Sequence, residues 1–388
     1  MKILSTTMVY PTPAAPTQGI FVQQRLRSLA RLAEVRVVVP QPWFPGWSQG
    51  VREFDEREPI PAHYRRMAYV PGVAKCLDGA FFARCLRRAL HEIRKSYPFD
   101  LMDAHFEYPD GVGAVCVAKE LGVPVCVTLR GKLHSQIRYR LRRPQIVRML
   151  GEADGLVAVA SSLREAAIEL AGRPLDIRVI PNGVDDTVFH RFDPGVARRK
   201  LGLADGPRYV VSVGHMQELK GFHRLVEALP AVRQAAGDVR LLLIGGPTAE
   251  RDYEPRLRAR VHELGLDGAV EMLGRQPQDR INLYLNVADC FALATRMEGC
   301  CNAIQEALCA GTPVVTTAVG GNPELVNSPE LGTLVPFGDA GSLRDAILAA
   351  LRRTWSRDRI AAAGRQRSWD LAARETLRYY LEILSKPG

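Results

Sequence analysis

Short apolar runs alternate with longer helical stretches along almost the whole chain, and this alternation limits the fold more than any other feature of the sequence. A parallel strand that is buried on both faces has this continuous apolar character, and its alternation with helices is typical of doubly wound sheets. We therefore predict an α/β protein with two Rossmann-like parallel sheets. The predicted strands of the first sheet are 2–5, 35–39, 101–104, 125–129 and 155–158, and those of the second are 179–180, 209–213, 240–244, 270–272, 290–293 and 314–316.

Glycine and proline are dense between residues 170 and 207, as in a linker. A chain of 388 residues is long for one domain, so we place the domain boundary in this region. We expect a first domain over 1–175, a second domain over 176–365, and a terminal helical segment over 366–388.

The chain is 47% hydrophobic and 24% charged, which is typical of a globular protein and argues against long disordered segments. No apolar run approaches the roughly 18 residues of a membrane span, and prolines interrupt the beginning of the chain too soon for a secretory signal. We expect a cytoplasmic protein. The eight cysteines show no C-x-x-C pair and no histidine at zinc spacing, so we expect them to be reduced and mostly buried.

The net charge of +10 comes largely from two helix-like stretches, 84–95 and 138–148. Neither stretch surrounds aromatic stacking positions, so we do not expect a nucleic-acid partner. The second stretch, RYRLRRPQIVR, mixes arginines with apolar residues and could lie on anionic headgroups at the inner face of the cytoplasmic membrane. A solvated basic helix face is the other interpretation.

The most informative motif lies at 297–326, MEGCCNAIQEALCAGTPVVTTAVGGNPELV. Glu298 and Glu306 are eight residues apart, and a single helix at about 100° per residue would bring them to within about 80° of each other. After a buried strand, Gly320 and Gly321 open a turn into a helix, where backbone N–H groups can face an anion. Carboxylates for sugar hydroxyls beside a phosphate nest predict a nucleotide-sugar site. The alternative is an amphipathic helix with two solvated glutamates.

A second motif, VVSVGHMQELKGFHRLVEAL, places Gly214, His215 and Lys220 in a loop between a strand and a helix. A lysine in such a loop can hold its ammonium against a diphosphate as a point charge. An ordinary surface lysine is the alternative interpretation.

Three positions in the first half follow predicted strands. Gly19 lies between a strand and a helix, where it would let the main chain approach a phosphate or an acceptor. His105 follows the third strand in DAHFEYPDG, and its place at a strand end favours function over a structural role. Arg130 and Gly131 follow the fourth strand. No G-x-G-x-x-G motif follows the first strand, so the dinucleotide fingerprint is missing.

These motifs resemble those of the retaining glycosyltransferases of the GT4 family, which have the GT-B fold. The resemblance covers nearly the whole chain and implies two Rossmann-like domains facing a cleft, with a C-terminal helix that crosses back to the first domain. It implies that Glu298 contacts the donor hexose, that Glu306 binds the ribose hydroxyls and that Lys220 binds the donor phosphates. The implied donor site also includes Gly19, Gly214, His215, Gly299, Cys300, Cys301 and Asn302, with Gly320 and Gly321 as the phosphate nest.

In the first domain the resemblance implies that His105 touches the donor sugar near the bond being broken, and that Arg130 and Gly131 lie on the acceptor side. The chain departs from the family pattern at three places. His215 stands where the family has an arginine, Asp103 replaces the first histidine of an H-x-H pair, and an acidic residue after Gly131 is missing.

The implied reaction transfers a hexose from a nucleotide-diphosphate sugar, with retention, to a saccharide or lipid-linked acceptor in surface polysaccharide or glycolipid synthesis. No cofactor is implied, and the chain has no D-x-D triplet to hold a metal on the diphosphate. Hydrolysis is disfavoured, because hydrolases use two opposed carboxylates. A sugar-nucleotide epimerase or a phosphorylase on the same fold, and a degenerate nucleotide-sugar binder without catalysis, remain as alternatives.

Overall fold

The computed structural model describes residues 1–12, 15, 18–45, 60–131, 133–247 and 253–386, with the side chain of His134 left aside. Its contacts divide the chain into two compact units. The first unit contains Met1–Gly183 and Trp369–Gly388, and the second contains Val184–Ser368.

Both units are built on a sheet whose neighbouring strands are parallel. The strands are β1 Lys2–Thr6, β2 Glu34–Trp43, β3 Ala62–Ala68, β4 Leu101–His105, β5 Val125–Leu129, β6 Gly155–Ala158, β7 Ile177–Val179, β8 Arg208–Val213, β9 Val239–Ile244, β10 Val270–Met272, β11 Cys290–Leu293, β12 Val314–Thr317 and β13 Gly332–Val335. Their order is β3-β2-β1-β4-β5-β6-β7 in the first unit and β10-β9-β8-β11-β12-β13 in the second. The predicted pair of doubly wound parallel sheets is confirmed.

The helices are α1 Ile20–Ala30, α2 Asp78–Ser96, α3 Val112–Leu121, α4 Leu133–Gln136, α5 Arg143–Glu152, α6 Ser161–Ala171, α7 Pro194–Leu201, α8 Phe222–Ala236, α9 Glu254–Glu263, α10 Gln278–Val287, α11 Asn302–Cys309, α12 Asn322–Leu325, α13 Ala340–Arg352, α14 Arg357–Arg365 and α15 Trp369–Ser385. Single 3-10 turns lie at Lys75–Leu77 and Glu218–Lys220. Among the described residues, no helix is both long enough and apolar enough to cross a bilayer.

Helix α15 belongs to the first unit, where it packs against α1. Polar contacts support this packing: Arg25 on α1 donates to the hydroxyl of Thr376 over 2.8 Å, and the hydroxyl of Tyr379 accepts from the main-chain N–H of Leu156 over 3.2 Å. The buried ring of Tyr380 completes the same core. The last helix is therefore an integral layer of the first unit.

The second unit has an apolar core on each face of its sheet. Successive strand residues point to opposite faces, so Val210 packs into one core and Val211 into the other. Helix α11 joins the second of these cores through Ile304, Ala307 and Leu308. This packing fixes the helix that carries Glu306.

Three sequence predictions about this architecture were wrong. Residues 179–180 were assigned to the second sheet, but β7 pairs with β6 in the first. The edge strands β3 and β13 were missed, because their half-buried residues do not form a continuous apolar run. The first unit extends to Gly183 rather than 175, since β7 belongs to its sheet, and the second unit ends at Ser368 rather than 365.

The basic stretch at 138–148 was expected to be one helix, and it is not. Residues 137–142 form turns, and α5 begins only at Arg143, with Pro144 in its first turn. The other basic stretch, 84–95, lies on α2 as expected.

We predict that Gly364→Ala destabilises the second unit. A Cβ at Gly364 on α14 would lie 2.4 Å from the backbone nitrogen of Cys309 on α11, so the two helices would have to separate. Alanine favours a helix by about 1 kcal/mol over glycine, but we expect overpacking to give a net loss of about 2 kcal/mol, measured by urea unfolding. The matched control is Gly268→Ala, where an added Cβ meets nothing within 4 Å. Equal stability of the two variants would contradict the prediction.

Candidate functional site

An ion pair at the carboxyl end of the second sheet joins two predicted site residues. Lys220 ends the 3-10 turn that follows β8, and Glu298 lies in the loop after β11. The Lys220 ammonium donates to the Glu298 carboxylate over 2.6 Å. The two loops are also tied through the carbonyl of Leu219, which accepts from the N–H of Arg296 at 2.9 Å and the hydroxyl of Thr295 at 3.1 Å.

The pair is only partly accessible, since the side chains of Lys220 and Glu298 are 18% and 9% exposed. Burial alone would lower the pKa of Lys220, but the Glu298 carboxylate more than offsets this effect and raises that pKa above its ordinary value. Lys220 is therefore a fixed positive charge that an anion could reach. The structure thus brings together Lys220 and Glu298, two of the residues assigned to the donor site.

The two glutamates are not on one helix face, as the motif had suggested. Helix α11 begins at Asn302, after Cys301, whose carbonyl accepts from the N–H of Ile304 at 3.1 Å. Glu298 precedes the helix, in a loop whose main chain is held by a glycine turn from the next strand. The periodicity argument failed because the helix starts after Glu298.

That glycine turn consists of Gly320 and Gly321, which follow β12. Gly320 has a φ of +55°, and a Cβ there would lie 2.0 Å from the carbonyl oxygen of Glu298. The N–H of Gly321 donates to the carbonyl of Gly299 over 3.0 Å. The prediction of a phosphate nest is therefore wrong for the Gly321 N–H, because this group already donates a hydrogen bond within the protein. The two glycines instead hold the Glu298 loop in place.

Glu306 lies on α11 with its side chain half-buried. Burial raises the pKa of Glu306 to about 7. Within the part of the chain that the structure describes, no hydrogen bond or ion pair to this carboxyl group is formed. A carboxyl group with a perturbed pKa is a candidate functional group, and its ionised form can accept hydrogen bonds from hydroxyl groups.

Gly214 and His215 follow β8 beside Lys220. A Cβ at Gly214 would lie 3.5 Å from the lysine side chain, and the carbonyl of Gly214 is in close contact with Gly245. His215 is exposed, yet partial desolvation and then the charges of Lys220 and Arg275 lower its pKa. At neutral pH His215 is uncharged, so it does not supply the positive charge of the arginine that the family has there.

Arg275 is a residue that the sequence analysis missed. Its side chain lies over Gly246, where an added Cβ would be 2.6 Å from the arginine Nε, and its Nη2 donates to the carbonyl of Pro247 over 2.8 Å. The charge of Arg275 is near enough to His215 to lower its pKa. No local motif marks this arginine, because it comes to the site from the loop after β10.

The neighbours of Glu298 in the motif have different environments. Cys301 is buried, and burial raises its pKa well above the ordinary value for a thiol, so it packs in the interior, and the donor contact implied for it stays a prediction. Cys300 and Asn302 are partly exposed. The structure thus brings Cys300, Asn302, Glu298 and Lys220 to the same end of the second sheet.

In the first unit, the predicted His105 and Arg130 meet in a buried polar cluster. The guanidinium of Arg130 donates through Nε to Nδ1 of His105 at 3.2 Å and through Nη1 to Oδ1 of Asn182 at 3.0 Å. The main-chain N–H of Arg130 donates to the buried carboxylate of Glu107 over 3.1 Å. Asn182 and Glu107 were not predicted as site residues.

His105 ends β4 as expected, but its side chain has no exposed surface in the free chain, and its contact with a donor sugar stays a prediction. Its Nε2 lies 3.1 Å from the carboxylate of Asp103, the residue that replaces the family's histidine. Burial lowers the pKa of His105 to about 4, in spite of the opposing effect of Asp103. The neutral imidazole therefore carries its proton on Nε2, towards Asp103, and accepts from Arg130 through Nδ1.

Arg25 helps to stabilise the ionised form of the buried Asp103. Burial alone would raise the pKa of Asp103, but the adjacent His105 and then Arg25 lower it to about 2. A buried carboxylate at this position thus depends on a buried arginine from α1.

The two glycines of the first unit that were predicted as site residues both have positive φ angles. Gly19 precedes α1 with a φ of +69°, and a Cβ there would lie 2.1 Å from the carbonyl oxygen of Val9. Gly131 follows Arg130 with a φ of +100°. Contacts of either glycine with a donor or an acceptor remain predictions, and Lys132 lies outside the described residues.

Comparison with protein families gives two matches that together span most of the chain. The model described as "Glycosyl transferases group 1" matches residues 195–367, which include Lys220, Glu298 and Glu306. The model described as "Glycosyltransferase Family 4" matches residues 18–188, which include His105 and Arg130.

Two relatives illustrate the sequence similarity. The D-inositol 3-phosphate glycosyltransferase of Acidothermus cellulolyticus is 31% identical over 329 residues, which cover 79% of this chain and 72% of the relative. TuaC of Bacillus subtilis, named as a teichuronic acid biosynthesis glycosyltransferase, is 28% identical over 372 residues, which cover 89% of this chain and 88% of the relative.

Solved structures share the fold at low sequence identity. Sucrose-phosphate synthase from Thermosynechococcus elongatus has a TM-score of 0.79 at 21% identity, over 99% of each chain. Anabaena HepE in complex with UDP and glucose has a TM-score of 0.77 at 22% identity, over 98% of this chain and 100% of that one. The expected GT-B fold is confirmed by these likenesses.

We predict that His105 stays neutral, with its proton on Nε2, between about pH 5.5 and 8, because its pKa lies well below this range. Nitrogen-15 spectra of histidine-labelled protein distinguish the two tautomers and the imidazolium, and His105→Gln assigns the signal. Asp103→Asn is expected to shift the tautomer population towards Nδ1–H. An imidazolium at neutral pH, or the Nδ1–H tautomer in the unmodified protein, would contradict this geometry.

We also predict that Glu306→Gln stabilises the protein at pH 8 but not at pH 4. The folded chain keeps the Glu306 proton up to about pH 7, whereas the unfolded chain loses it near the ordinary value of 4.5. The free energy of unfolding therefore decreases by up to about 3 kcal/mol as the pH rises through this interval. Glutamine does not titrate, so the variant lacks this decrease. Unfolding in urea at both pH values measures it, with the exposed Glu330→Gln as control. A Glu306→Gln variant that is no more stable at pH 8 would show that this carboxyl group is solvated.

Proposed function

Because this chain belongs to glycosyltransferase family 4, we propose that it transfers a hexose from a nucleoside diphosphate sugar to a hydroxyl acceptor, with retention of configuration. The observation that carries the proposal is the pairing of Lys220 with Glu298, followed along the chain by Glu306 on α11. A cation for a diphosphate and a carboxylate for hydroxyl groups lie at the carboxyl ends of β8 and β11, where ligands bind in open α/β sheets.

We assign Lys220 to the diphosphate of the donor. Its ammonium is held at 2.6 Å from the carboxylate of Glu298. A diphosphate that binds beside the ammonium carries more negative charge than this carboxylate. The lysine then stabilises the negative charge that grows on the leaving nucleotide as the sugar–phosphate bond breaks. Because the lysine is already charged and desolvated, little reorganisation accompanies this step.

We assign the two glutamates to hydroxyl groups of the donor. Glu298, once its lysine turns to the diphosphate, accepts hydrogen bonds from the hexose. Glu306 accepts from the ribose, and these hydrogen bonds favour its ionised form. Binding of the ribose would thus lower the raised pKa of Glu306. The carboxyl group of Glu306, whose burial lowers the free energy of unfolding of the free protein, then receives hydrogen bonds from the ligand.

Arg275 supplies the second positive charge in this proposal. His215 is neutral, and Arg275 lies near it on the loop after β10. The proposal includes a reaction without a metal, since the sequence has no D-x-D triplet. The acceptor hydroxyl attacks the face from which the nucleotide leaves, and Arg130 and Gly131 of the first unit are assigned to the acceptor side.

The acceptor class rests on the relatives. We propose a saccharide or lipid-linked acceptor in the synthesis of a surface polysaccharide or glycolipid, since a relative over most of the chain is named for teichuronic acid biosynthesis. The neutral His215 favours one second candidate, a nucleotide-sugar binder that does not turn over. Donor binding without product against a broad acceptor panel would support that candidate instead.

The donor site is tested by thermal shifts with UDP, GDP, ADP and their sugars in the absence of metal. A ligand at 100 times its Kd stabilises the folded protein by about 2.7 kcal/mol, which is a shift of several degrees. We expect one nucleotide to raise the melting temperature, and Lys220→Ala and Glu306→Ala to abolish the rise. Lys200→Ala and Glu330→Ala are matched controls in the same unit. No shift with any nucleotide, or shifts that survive in Lys220→Ala, would contradict the assigned site.

A further inference from the structure

Four exposed apolar side chains of the first unit lie on two segments that meet at one surface. Val73 and Leu77 are 64% and 48% exposed, and Tyr139 and Leu141 are 56% and 64% exposed. These four are half of the eight exposed large apolar side chains among the described residues. We call them the apolar tip.

A single amide joins the two segments. The side chain of Gln145 donates to the carbonyl of Cys76 over 3.0 Å and to the carbonyl of Leu141 over 2.8 Å. Tyr108 adds a second link, since its hydroxyl donates to the carbonyl of Lys75 over 2.6 Å while its ring lies 5.0 Å from the guanidinium of Arg142. Leu141 carries one of the accepting carbonyls and Leu77 follows the other, that of Cys76. The two leucines therefore belong to one continuous surface.

The backbone presents these side chains outward. Val73 lies between Gly72 and Ala74, whose φ angles are +76° and +54°. A non-glycine residue rarely adopts the left-handed conformation, and such positions cluster where the chain contacts a ligand or partner. Tyr139 is supported from below by the guanidinium of Arg142, 4.3 Å from its ring centre.

Exposed arginines lie on the second segment of the apolar tip, and the carboxylate next to Leu77, that of Asp78, is buried and interacts with Lys75 and Arg142. Arg138, Arg140 and Arg143 are exposed, and we call them the basic rim. Between Gly131 and Glu152 the chain carries six basic residues and no acidic residue. A few exposed apolar side chains beside exposed arginines match the interface of an anionic bilayer, where apolar groups enter the acyl boundary and guanidinium groups remain at the headgroups.

We propose that the apolar tip and basic rim bind the surface of an anionic lipid bilayer. Four side chains offer too little apolar area for a stable second copy or protein partner, which needs about 800 Å² on each side. The surface also follows directly along the chain from Arg130 and Gly131, through α4. The inference thus deepens the proposed function, because it would bring a lipid-linked acceptor to the acceptor-side loop, but binding to lipid does not depend on transfer.

The test is sedimentation of the full chain with vesicles of phosphatidylcholine containing about 30% phosphatidylglycerol, and with phosphatidylcholine alone, at about 0.1 M and 0.5 M salt. We expect binding only to the anionic vesicles, and weaker binding at high salt. Each arginine near an anionic surface contributes about fivefold to the partition constant. Arg138→Gln, Arg140→Gln and Arg143→Gln together should lower it by about a hundredfold, and Val73→Ser with Leu141→Ser by at least tenfold.

The control variant removes the same residue types elsewhere, with Arg280→Gln, Arg359→Gln and Arg374→Gln combined with Leu32→Ser and Leu381→Ser, which are exposed as well. Its binding should match that of the unmodified chain. A Tyr139→Trp variant adds a depth readout, since brominated lipids should quench the added fluorescence. Failure of the unmodified chain to bind at low salt, or equal losses in control and test variants, would overturn the proposal. So would a change in oligomeric state in the tip variant without loss of lipid binding.

These outcomes are separable from those of the donor-site experiment. The thermal shift with a nucleotide should be the same in the tip and rim variants, because their residues lie in the first unit and Lys220, Glu298 and Glu306 lie in the second. Loss of lipid binding with an unchanged nucleotide shift supports the surface, whatever reaction the protein catalyses.

Discussion

The ion pair between Lys220 and Glu298 is the interaction on which the second unit's site depends. It places a lysine from the turn after β8 against a carboxylate from the loop after β11, at 2.6 Å in a partly buried position. The Glu298 loop is fixed from the other side by Gly320, whose left-handed conformation leaves no room for a Cβ. A charged pair that is held in this way is ready for an anionic ligand, and its desolvation is offset by pairing until that ligand arrives.

In the first unit, a neutral imidazole ring lies between a buried carboxylate and an arginine. His105 is completely buried and links Asp103 to Arg130, and Asp103 is compensated by Arg25 from α1. Since α1 packs on α15, the last helix of the chain supports the same cluster. The replacement of the family's histidine by Asp103 therefore concerns the orientation of Arg130, because a carboxylate at this position sets the tautomer of His105.

Much of this arrangement could be predicted from the sequence. The apolar runs predicted the two sheets, and the motif at 297–326 and the strand–loop–helix motif around Lys220 pointed to Lys220, Glu298 and Glu306. The edge strands β3 and β13 escaped, since half-buried strands lack a continuous apolar signal. Glu298 was wrongly placed on a helix, and Arg275 was missed, because the start of a helix and the convergence of distant loops depend on tertiary contacts. The role of Gly320 likewise depends on its contact with Glu298, which no local pattern contains.

Burial raises the pKa of Glu306 in the free protein, and we propose that the hydroxyl groups of a donor nucleotide favour its ionised form on binding. Calorimetric titration of the stabilising nucleotide sugar at pH 7, in buffers of different ionisation enthalpy, measures the protons released on binding. We expect the unmodified protein to release a substantial fraction of a proton and Glu306→Gln to release less by the same amount. Equal proton release by the two proteins would show that the ligand binds without engaging Glu306, and would overturn its assigned role.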